Sequence, residues 1–356
     1  MVSYLVRRVL SGLLLVFALT WIAFTLFWLL PAEPWRAVIY DLHPTKAQIA
    51  AANHKLGVDR PVVVQYGRYV WRLVGHGDFG NSWYGNPVFP SLKRALPVTW
   101  SIVGGGAILL FLLAVPLATL SALRANTAFD RAILTISIAG VALHPFIIGA
   151  GLRWLFATKL DWLDGYYYCP LRGSIEISNG PPGEFGYDTH SCGGFAGWSS
   201  HLLLPWITFA VIFLPLYMRM LRTAMIDVLD APYVLTARAK GVGLLRLLRS
   251  HVLRNAMLQP LTMIGMEIGL ALTVSIYIEV MYQLSGAGKL AIGSLGYGSG
   301  IATGGFVGGG GAFDLPTVAG IIFLIALTVI VLNLAVDVTY AYLDPRVRFA
   351  GREAVA

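Results

Sequence analysis

The feature that most constrains the fold of this chain is a series of six apolar segments, each long enough to cross a lipid bilayer. A helix needs about 20 consecutive apolar residues to span the hydrocarbon core. Only 12% of the 356 residues are charged, whereas a soluble domain carries about 25%. The sequence therefore predicts an all-α integral membrane protein with six transmembrane helices. In chain order the segments are Val9–Leu30, Pro97–Leu123, Ala132–Thr158, Leu202–Leu221, Pro260–Tyr282 and Pro316–Tyr342.

The first apolar segment predicts a retained membrane anchor rather than a cleaved signal peptide. It covers about twenty residues, which is long enough to span a bilayer. The residues that follow it, Pro31-Ala32-Glu33, form a poor cleavage site. We therefore expect Val9–Leu30 to remain as the first transmembrane helix.

The distribution of basic residues predicts the orientation of the spans. If the segments alternate in direction, one side of the membrane receives both termini, the loop between the second and third segments, and the loop between the fourth and fifth. Because cytoplasmic loops are enriched in Lys and Arg, we expect this side to be the cytoplasm and the protein to lie in the inner or plasma membrane. The net charge of +8 then needs no nucleic acid partner to explain it. Cations on this side include Arg7, Arg8, Arg124, Arg131, Arg222, Arg254, Arg346, Arg348 and Arg352.

The segments divide the chain into an N-terminal part, a main membrane part and a tail. In the N-terminal part, Thr45–Leu56 and Val62–Leu73 predict two short helices outside the membrane. The glycine-rich composition of one later outside loop predicts a flexible segment. The predicted boundaries are 1–96 for the first span with its extracytoplasmic segment, 97–345 for the membrane domain, 159–201 for an extracytoplasmic insertion, 222–258 for a basic cytoplasmic region, 286–311 for the glycine-rich extracytoplasmic loop, and 346–356 for the cytoplasmic tail.

The two cysteines of the chain, Cys169 and Cys192, both lie in the extracytoplasmic insertion. Disulfides form in oxidising compartments outside the cytoplasm. Because the topology places the insertion there, the pair predicts a disulfide. The alternative is two unpaired thiols.

A basic stretch, Tyr233–Pro260, lies between the fourth and fifth spans. Gly241-Val242-Gly243 predicts a break between two short helices. In the second helix the leucines and Val252 gather on one side and the arginines on another, which is typical of a helix that lies along a surface. Two interpretations are open, namely a helix on the membrane surface and a docking surface for a cytosolic partner.

Ionisable residues within the spans are costly in lipid and are therefore candidates for function. Glu267 is either a carboxylate that lines a pathway and meets a substrate amine or cation, or a carboxyl bonded to neighbouring helices. For Glu279 and Asp337, near span ends, we favour interhelical hydrogen bonding. The pair His144-Pro145 predicts a helix kink rather than a ligand.

The chain contains no motif of a known nucleotide-binding or catalytic site. Gly286-Ala287-Gly288-Lys289 resembles the end of a phosphate-binding loop, but Leu290 replaces the hydroxyl residue that such a loop requires. A structural metal site is also not expected from two cysteines and seven scattered histidines. We expect neither an enzyme nor a cofactor or metal bound by this chain.

Short motifs occur along nearly the whole chain. They are Tyr4-Leu5-Val6-Arg7-Arg8, Gly77-Asp78-Phe79-Gly80-Asn81-Ser82, Leu96-Pro97-Val98-Thr99, Thr236-Ala237-Arg238-Ala239-Lys240-Gly241, His251-Val252-Leu253-Arg254-Asn255-Ala256 and Leu343-Asp344-Pro345-Arg346. In this order the set resembles the dipeptide/oligopeptide/nickel permease family of ATP-binding-cassette (ABC) importers, specifically the first of its two permease subunits. It is the set rather than any one motif that is specific.

The resemblance implies a type I ABC importer permease bundle in which the basic stretch forms coupling helices. These helices would enter a groove on the cytosolic ATPase, and Gly241 would make the turn between them. The sequence departs from the family at Leu235, where Arg or Glu is usual, and in the longer outward loops. The coupling residues implied by the resemblance are Tyr233, Thr236, Ala237, Arg238, Ala239, Lys240 and Gly241.

The predicted function is that of a permease subunit that forms half of a peptide translocation pathway and works by alternating access. The implied partners are a second homologous permease subunit, two cytosolic ABC ATPase subunits that bind ATP and Mg²⁺, an extracytoplasmic substrate-binding protein and the lipid bilayer. Import of nickel or another small solute is the alternative within this class. A secondary transporter and a non-transporting membrane scaffold are the alternatives from other classes.

Overall fold

The structure is a computed structural model. It describes residues 2–29, 35, 39, 43–142, 144–160, 162, 168–171, 174–178, 187–297 and 314–343. The predicted tail at 346–356 and residues 298–311 of the predicted glycine-rich loop lie outside the described residues.

Helices account for most of the described chain, which confirms the predicted all-α architecture. An antiparallel hairpin, which was not predicted, lies in the insertion: β1 (Ser174–Ser178) pairs with β2 (Tyr187–Ser191). The α-helices are α1 (Val2–Leu29), α2 (Lys46–Leu56), α3 (Val62–His76), α4 (Val88–Leu123), α5 (Ala128–Ala142), α6 (Pro145–Arg153), α7 (Gly194–Leu229), α8 (Pro232–Ala239), α9 (Leu244–Leu247), α10 (Leu253–Ala256), α11 (Leu258–Met281), α12 (Ala287–Ile292) and α13 (Leu315–Leu343). Single π-helical turns occur at Trp154–Lys159, Leu248–Val252 and Gly293–Tyr297.

Within the described residues, four helices are long and apolar enough to cross a membrane. They are Val88–Leu123, Gly194–Leu229, Leu258–Met281 and Leu315–Val336, and α1 adds a shorter apolar stretch, Val9–Thr25. The predicted count of six spans therefore stays a prediction.

The third predicted span is divided between α5 and α6. The side chain of His144 caps α6, with its Nδ1 accepting a hydrogen bond from the Phe146 N–H at 3.2 Å, and Pro145 occupies the first turn. Proline suits this position because it has no N–H to leave unsatisfied. The predicted break at His144-Pro145 is confirmed.

Contacts divide the chain into two compact units, the first of which comprises residues 1–97 and 286–335. Its core is formed by side chains of α1, α3, α4 and α13, among them Phe24, Tyr69, Leu92 and Ile321. The two predicted helices at Thr45–Leu56 and Val62–Leu73 are confirmed as α2 and α3.

A buried carboxylate connects the first outside segment to α13 within this unit. Asp314, only 3% exposed, accepts hydrogen bonds from Ser82 Oγ at 2.7 Å, the Trp83 N–H at 3.0 Å and Thr317 Oγ1 at 2.5 Å. The family-like motif that ends at Ser82 therefore has a local structural role, since it fixes the start of α13.

The prediction of a flexible loop at 286–311 was wrong for the first part of this range. Residues Ala287–Ile292 form α12, in which Ala287 is fully buried and Leu290 packs against the cluster that contains Ala95 and Leu96. Two apolar side chains with partners are enough to order this segment despite its glycines.

The second unit comprises residues 98–285 and 336–356, and its helices pack around α7. A Cβ added at Gly105 would lie 2.1 Å from the Trp206 ring, and one added at Gly106 would lie 2.6 Å from the Phe209 ring. The glycines of α4 therefore let α7 approach closely, as small residues do in membrane bundles. The predicted disulfide is also present in this unit and joins Cys169 to Cys192.

Candidate functional site

The basic stretch forms two helical pieces that meet at a tight glycine turn. Helix α8 begins at Pro232 and ends at Ala239, with Lys240 as its C-cap residue. Gly241 then adopts φ +78°, and its N–H bonds to the Arg238 carbonyl while the Val242 N–H bonds to the Ala237 carbonyl. This pair of bonds is the Schellman arrangement, in which a glycine with positive φ ends a helix. The predicted split between two short helices is confirmed.

Buried apolar side chains anchor both pieces to the membrane helices. Val234 of α8 is 1% exposed, and Leu247, Val252 and Ala256 of the second piece are equally buried. They share one cluster with Met225 and its neighbours on α4 and α7. The stretch is therefore held in place by its own packing.

A side-chain bond also joins the two pieces to each other. The amide Nδ2 of Asn255 on α10 donates to the hydroxyl of Tyr233 on α8 at 2.7 Å. With the glycine turn at one end and this bond at the other, the relative orientation of the two pieces is fixed at two points.

The residues that the resemblance assigned to coupling lie on α8 and at the glycine turn that follows it, and most of them are accessible. Ala237 is half-buried and all the others are exposed, as are Leu235 (50%) and Leu245 (71%), which flank them. An accessible surface that combines apolar side chains with cations suits a protein partner better than bulk water. The exposed members of this set on α8 and its turn are called the α8 surface, and they are Tyr233, Thr236, Arg238, Ala239, Lys240 and Gly241.

An ion pair stabilises the C-terminal part of α7, a few residues before the α8 surface. Arg222 donates two hydrogen bonds to Asp130, at 2.6 and 2.5 Å. Ser121 Oγ and the Asn126 N–H complete the carboxylate's partners at 2.5 and 2.9 Å, and Asp130 is 1% exposed. The Arg222 guanidinium holds the pKa of the Asp130 carboxyl well below its usual range, against the opposing effect of burial. The ion pair, hereafter the Asp130–Arg222 brace, ties α4, α5 and α7 together.

Sequence reasoning missed this brace because its partners lie 92 positions apart. It counted Arg222 only among the cations that set the topology. The available signal was Asp130 itself, an acidic residue next to Arg131 in a short loop at the end of two apolar segments.

Glu267, the predicted pathway candidate, lies in α11 and faces α7. Its carboxyl group lies beside the hydroxyl of Tyr217, while its Oε2 atom is buried without a hydrogen-bond partner among the described residues. A carboxylate oxygen left without a donor in an apolar environment costs free energy. One oxygen of Glu267 is therefore left unsatisfied by the described residues.

The other ionisable residues of the spans have structural partners. Glu279 is fully buried and accepts a hydrogen bond from Thr99 Oγ1 of α4 at 2.5 Å, which confirms the predicted interhelical bond. Arg153 donates to the Met281 carbonyl. The side chain of Asp337 lies outside the described residues. Within the described part of the chain, no group of three or more metal-ligating side chains comes together.

Two regions of the chain match known families. Residues 114–349 match the family described as binding-protein-dependent transport system inner membrane component. Residues 1–103 match the N-terminal region described for binding-protein-dependent transport system membrane components.

Characterised or named relatives are similar along almost the whole chain. The dipeptide transport system permease protein DppB of Alkalihalophilus pseudofirmus is 29% identical, with 98% of this chain and 100% of the relative covered. The di/tripeptide transport system permease protein DppB of Pseudomonas aeruginosa is 30% identical, with 98% and 99% covered. The probable D,D-dipeptide transport system permease protein DdpB of Escherichia coli is 29% identical, with 96% of each covered.

Proposed function

The chain belongs to the family of binding-protein-dependent transport system inner membrane components, and from that premise we propose that it is one permease subunit of an ATP-driven peptide importer. Its relatives are named for the transport of dipeptides, di/tripeptides and D,D-dipeptides. Peptides are therefore the substrate class, in preference to nickel or another small solute.

The observation that carries this proposal is the α8 surface. The chain has no nucleotide-binding motif, so the energy for transport has to reach it from another subunit. The α8 surface is accessible, cationic and partly apolar, and the buried residues beneath it belong to the cluster that includes α4 and α7. A force applied to α8 by an ATPase would therefore pass into the membrane helices through packed side chains.

The mechanism that follows is alternating access. A second, similar permease subunit completes the pathway, two ATPase subunits bind ATP and Mg²⁺ on the cytoplasmic side, and a binding protein delivers the peptide from the other side. Both termini of this chain lie in the cytoplasm, and six spans cross the inner membrane. Closure of the ATPases opens the pathway outward, and their separation opens it inward.

Glu267 provides a contact for the peptide as it passes. A free peptide carries an ammonium group at its N-terminus, and the unpaired Oε2 atom of Glu267 is an acceptor with the complementary charge. Tyr217 orients the carboxylate from the other side. A charge-assisted hydrogen bond of this kind contributes about 1.5–3 kcal/mol, which is enough to favour peptides with a free N-terminus.

The test is uptake of a labelled dipeptide into proteoliposomes that contain the purified importer and its binding protein. We expect uptake to require ATP inside the liposomes, to stop when the ATPases are inhibited and to persist with an ionophore. Uptake that an ionophore abolishes and that needs no ATP would instead assign the chain to secondary transport. A complex that neither hydrolyses ATP in response to peptide nor transports it would be a scaffold.

A substitution separates the role of Glu267 from the general proposal. With Glu267→Gln, we expect the KM for dipeptides to rise about tenfold, while N-acetylated dipeptides, which lack the ammonium, show no change. Equal effects on both classes of peptide would remove Glu267 from the pathway and leave the importer proposal intact.

A further inference from the structure

A pocket of about 710 Å³ lies in the first unit, between the end of α2, one side of α3 and the start of α13. Its volume is within the range of small-ligand sites, about 300–1,000 Å³. Nothing in the coupling or transport roles described above makes use of it. Four cationic side chains line it, namely Lys55, Arg60, Arg68 and Arg72.

Cations outnumber carboxylates in this pocket. None of the four cations forms an ion pair with a carboxylate of the described residues; the nearby Asp59 pairs with His54 at 2.8 Å and lies close enough to Arg60 to interact with it electrostatically. Clustered cations without counterions repel one another and attract an anion. The pocket therefore favours a ligand with at least one negative charge.

Tyr69 adds a neutral donor on the pocket wall. Its side chain is buried, and its hydroxyl has no hydrogen-bond partner among the described residues. Burial raises the pKa of the Tyr69 phenol, so the group keeps its proton. An oxygen-rich anion in the pocket would satisfy a donor that is otherwise left unpaired.

The position of the pocket places it at a membrane surface. Phe24, on its wall, lies five residues, or about 8 Å along the helix, before the end of α1 at Leu29. Leu315, also on its wall, is the first residue of α13. Because the sequence predicts that α1 and α13 cross the bilayer, we expect these helix ends, and the pocket with them, at the level of the lipid headgroups.

Helix α3 has the pattern of a helix that lies in the plane of the interface. Its exposed apolar residues, Val63 (62%), Trp71 (71%) and Val74 (70%), fall on one face at helical spacing, and Arg68 and Arg72 fall on the adjoining face. Interfacial helices combine such an apolar face with Lys or Arg beside it, and Trp is enriched at this depth. Without a partner, this apolar face would be exposed to water.

From these features we infer that the pocket is a binding site for an anionic phospholipid. Its phosphate contacts Arg68, Arg72 and the other cations, and its acyl chains lie along the apolar face of α3. A lipid is favoured over a soluble anion because the basic and apolar surfaces adjoin. It is favoured over a protein segment because α3 has the pattern of an interfacial helix and α1 and α13 are predicted to cross the bilayer. The site is independent of the proposed transport function.

The test compares lipid binding by purified full-length variants in detergent, with bound molecules counted by native mass spectrometry. The probes are phosphatidylglycerol, phosphatidylcholine and inorganic phosphate. For the wild type we expect one tightly bound phosphatidylglycerol, with phosphatidylcholine at least tenfold weaker. For Arg68→Gln/Arg72→Gln we expect a loss of about thirtyfold, since each cation contributes to the attraction of an anionic lipid.

Two further variants make the test independent of folding and of total charge. Gly67→Leu fills the pocket without a charge change, and since a Cβ added at Gly67 meets no atom within 4 Å, this variant should fold and lose the lipid. Lys93→Gln/Arg94→Gln removes the same number of exposed cations elsewhere and should bind as the wild type does.

Three results would overturn the inference. Equal phosphatidylglycerol affinity in the Arg68→Gln/Arg72→Gln and Lys93→Gln/Arg94→Gln variants would show that the pocket does not hold the lipid. Equal affinity of the wild type for phosphatidylcholine would show that charge is not recognised. Inorganic phosphate that competes at the same concentration as the lipid would show that the occupant is a soluble anion.

Discussion

The backbone geometry of the glycine turn predicts that substitutions at Gly241 and Gly243 have different effects. Gly241 has φ +78°, whereas Gly243, two residues later, has φ −58°. A Cβ added at either position would meet no atom within 4 Å. The two glycines therefore differ in backbone conformation and not in crowding, so the same change at both isolates the effect of the turn.

The expected effect of Gly241→Ala follows from the strain of a side chain at positive φ. That strain costs about 1–2 kcal/mol, a factor of about 5 to 30 in the equilibrium between this turn and other conformations. Gly243→Ala carries no such strain and should be neutral or slightly stabilising. Gly241→Asn should lie between them, because Asn tolerates positive φ better than Ala.

The assay is the number of peptides transported per ATP hydrolysed in proteoliposomes of the complete importer. Since Val234 and Leu247 anchor both pieces independently of the turn, we expect Gly241→Ala to reach the membrane in normal amounts and to lower this ratio about fivefold or more. Gly243→Ala should keep the wild-type ratio. A wild-type ratio in Gly241→Ala, or an equal loss in both variants, would refute the reasoning.

Three further predictions concern the stability of the second unit, measured as thermal unfolding of the purified protein in detergent. Asp130→Asn should destabilise it by about 3 kcal/mol, the lower end for a broken buried pair, because Asn cannot neutralise the Arg222 guanidinium, which is only 15% exposed. The exposed Asp227→Asn should have no such effect. For the same reason, stability should be constant above pH 4, roughly the ordinary Asp pKa, and should fall as the pH drops toward the depressed folded pKa of Asp130; a wild type insensitive to acid in this range would argue against the brace. Reduction of the Cys169–Cys192 disulfide, or Cys192→Ser, should cost about 2–4 kcal/mol, and unchanged unfolding under reductant would show that the bridge is not formed. Gly105→Ala should cost about 1–3 kcal/mol through overpacking against the neighbouring Trp ring, whereas a neutral outcome would mean that the helices are farther apart.

The local parts of the site could be predicted from the sequence. The end of α8 depends on a glycine and two backbone bonds within six residues, so the pattern around Gly241 contains all the information. The break at His144-Pro145 is local for the same reason, since proline lacks the donor that a continuous helix needs. The close approach of α7 to α4 at Gly105 depends on Trp206, which lies about a hundred positions away and which no local pattern identifies.

Features that depend on distant residues could not be predicted in this way. The Asp130–Arg222 brace joins α5 to α7, and the pattern around either residue gives no sign of the other. The helix α12 was not predicted because the prediction rested on the glycine-rich composition of this segment. The structure depends instead on the positions of Ala287 and Leu290, which pack against other buried side chains. Glu267 was recognised as unusual, but only the structure showed that Tyr217 occupies one side of it.

The claim that the α8 surface contacts the ATPase is tested most directly by cross-linking. The two cysteines of the chain are joined in a disulfide, so an introduced cysteine is the single free thiol. Ala239→Cys places it on the α8 surface. Ala128→Cys, also exposed and on the same predicted side of the membrane, is the matched control.

With a short cross-linker that carries a maleimide at one end and a photoreactive diazirine, which needs no thiol on the partner, at the other, we predict efficient cross-linking of Ala239→Cys to an ATPase subunit in the assembled importer, and a yield that changes when ATP is bound. Ala128→Cys should react equally with a small maleimide but give little cross-linked product. No cross-link from Ala239→Cys, or the same yield from both positions, would contradict the proposal that the α8 surface transmits the energy of ATP hydrolysis.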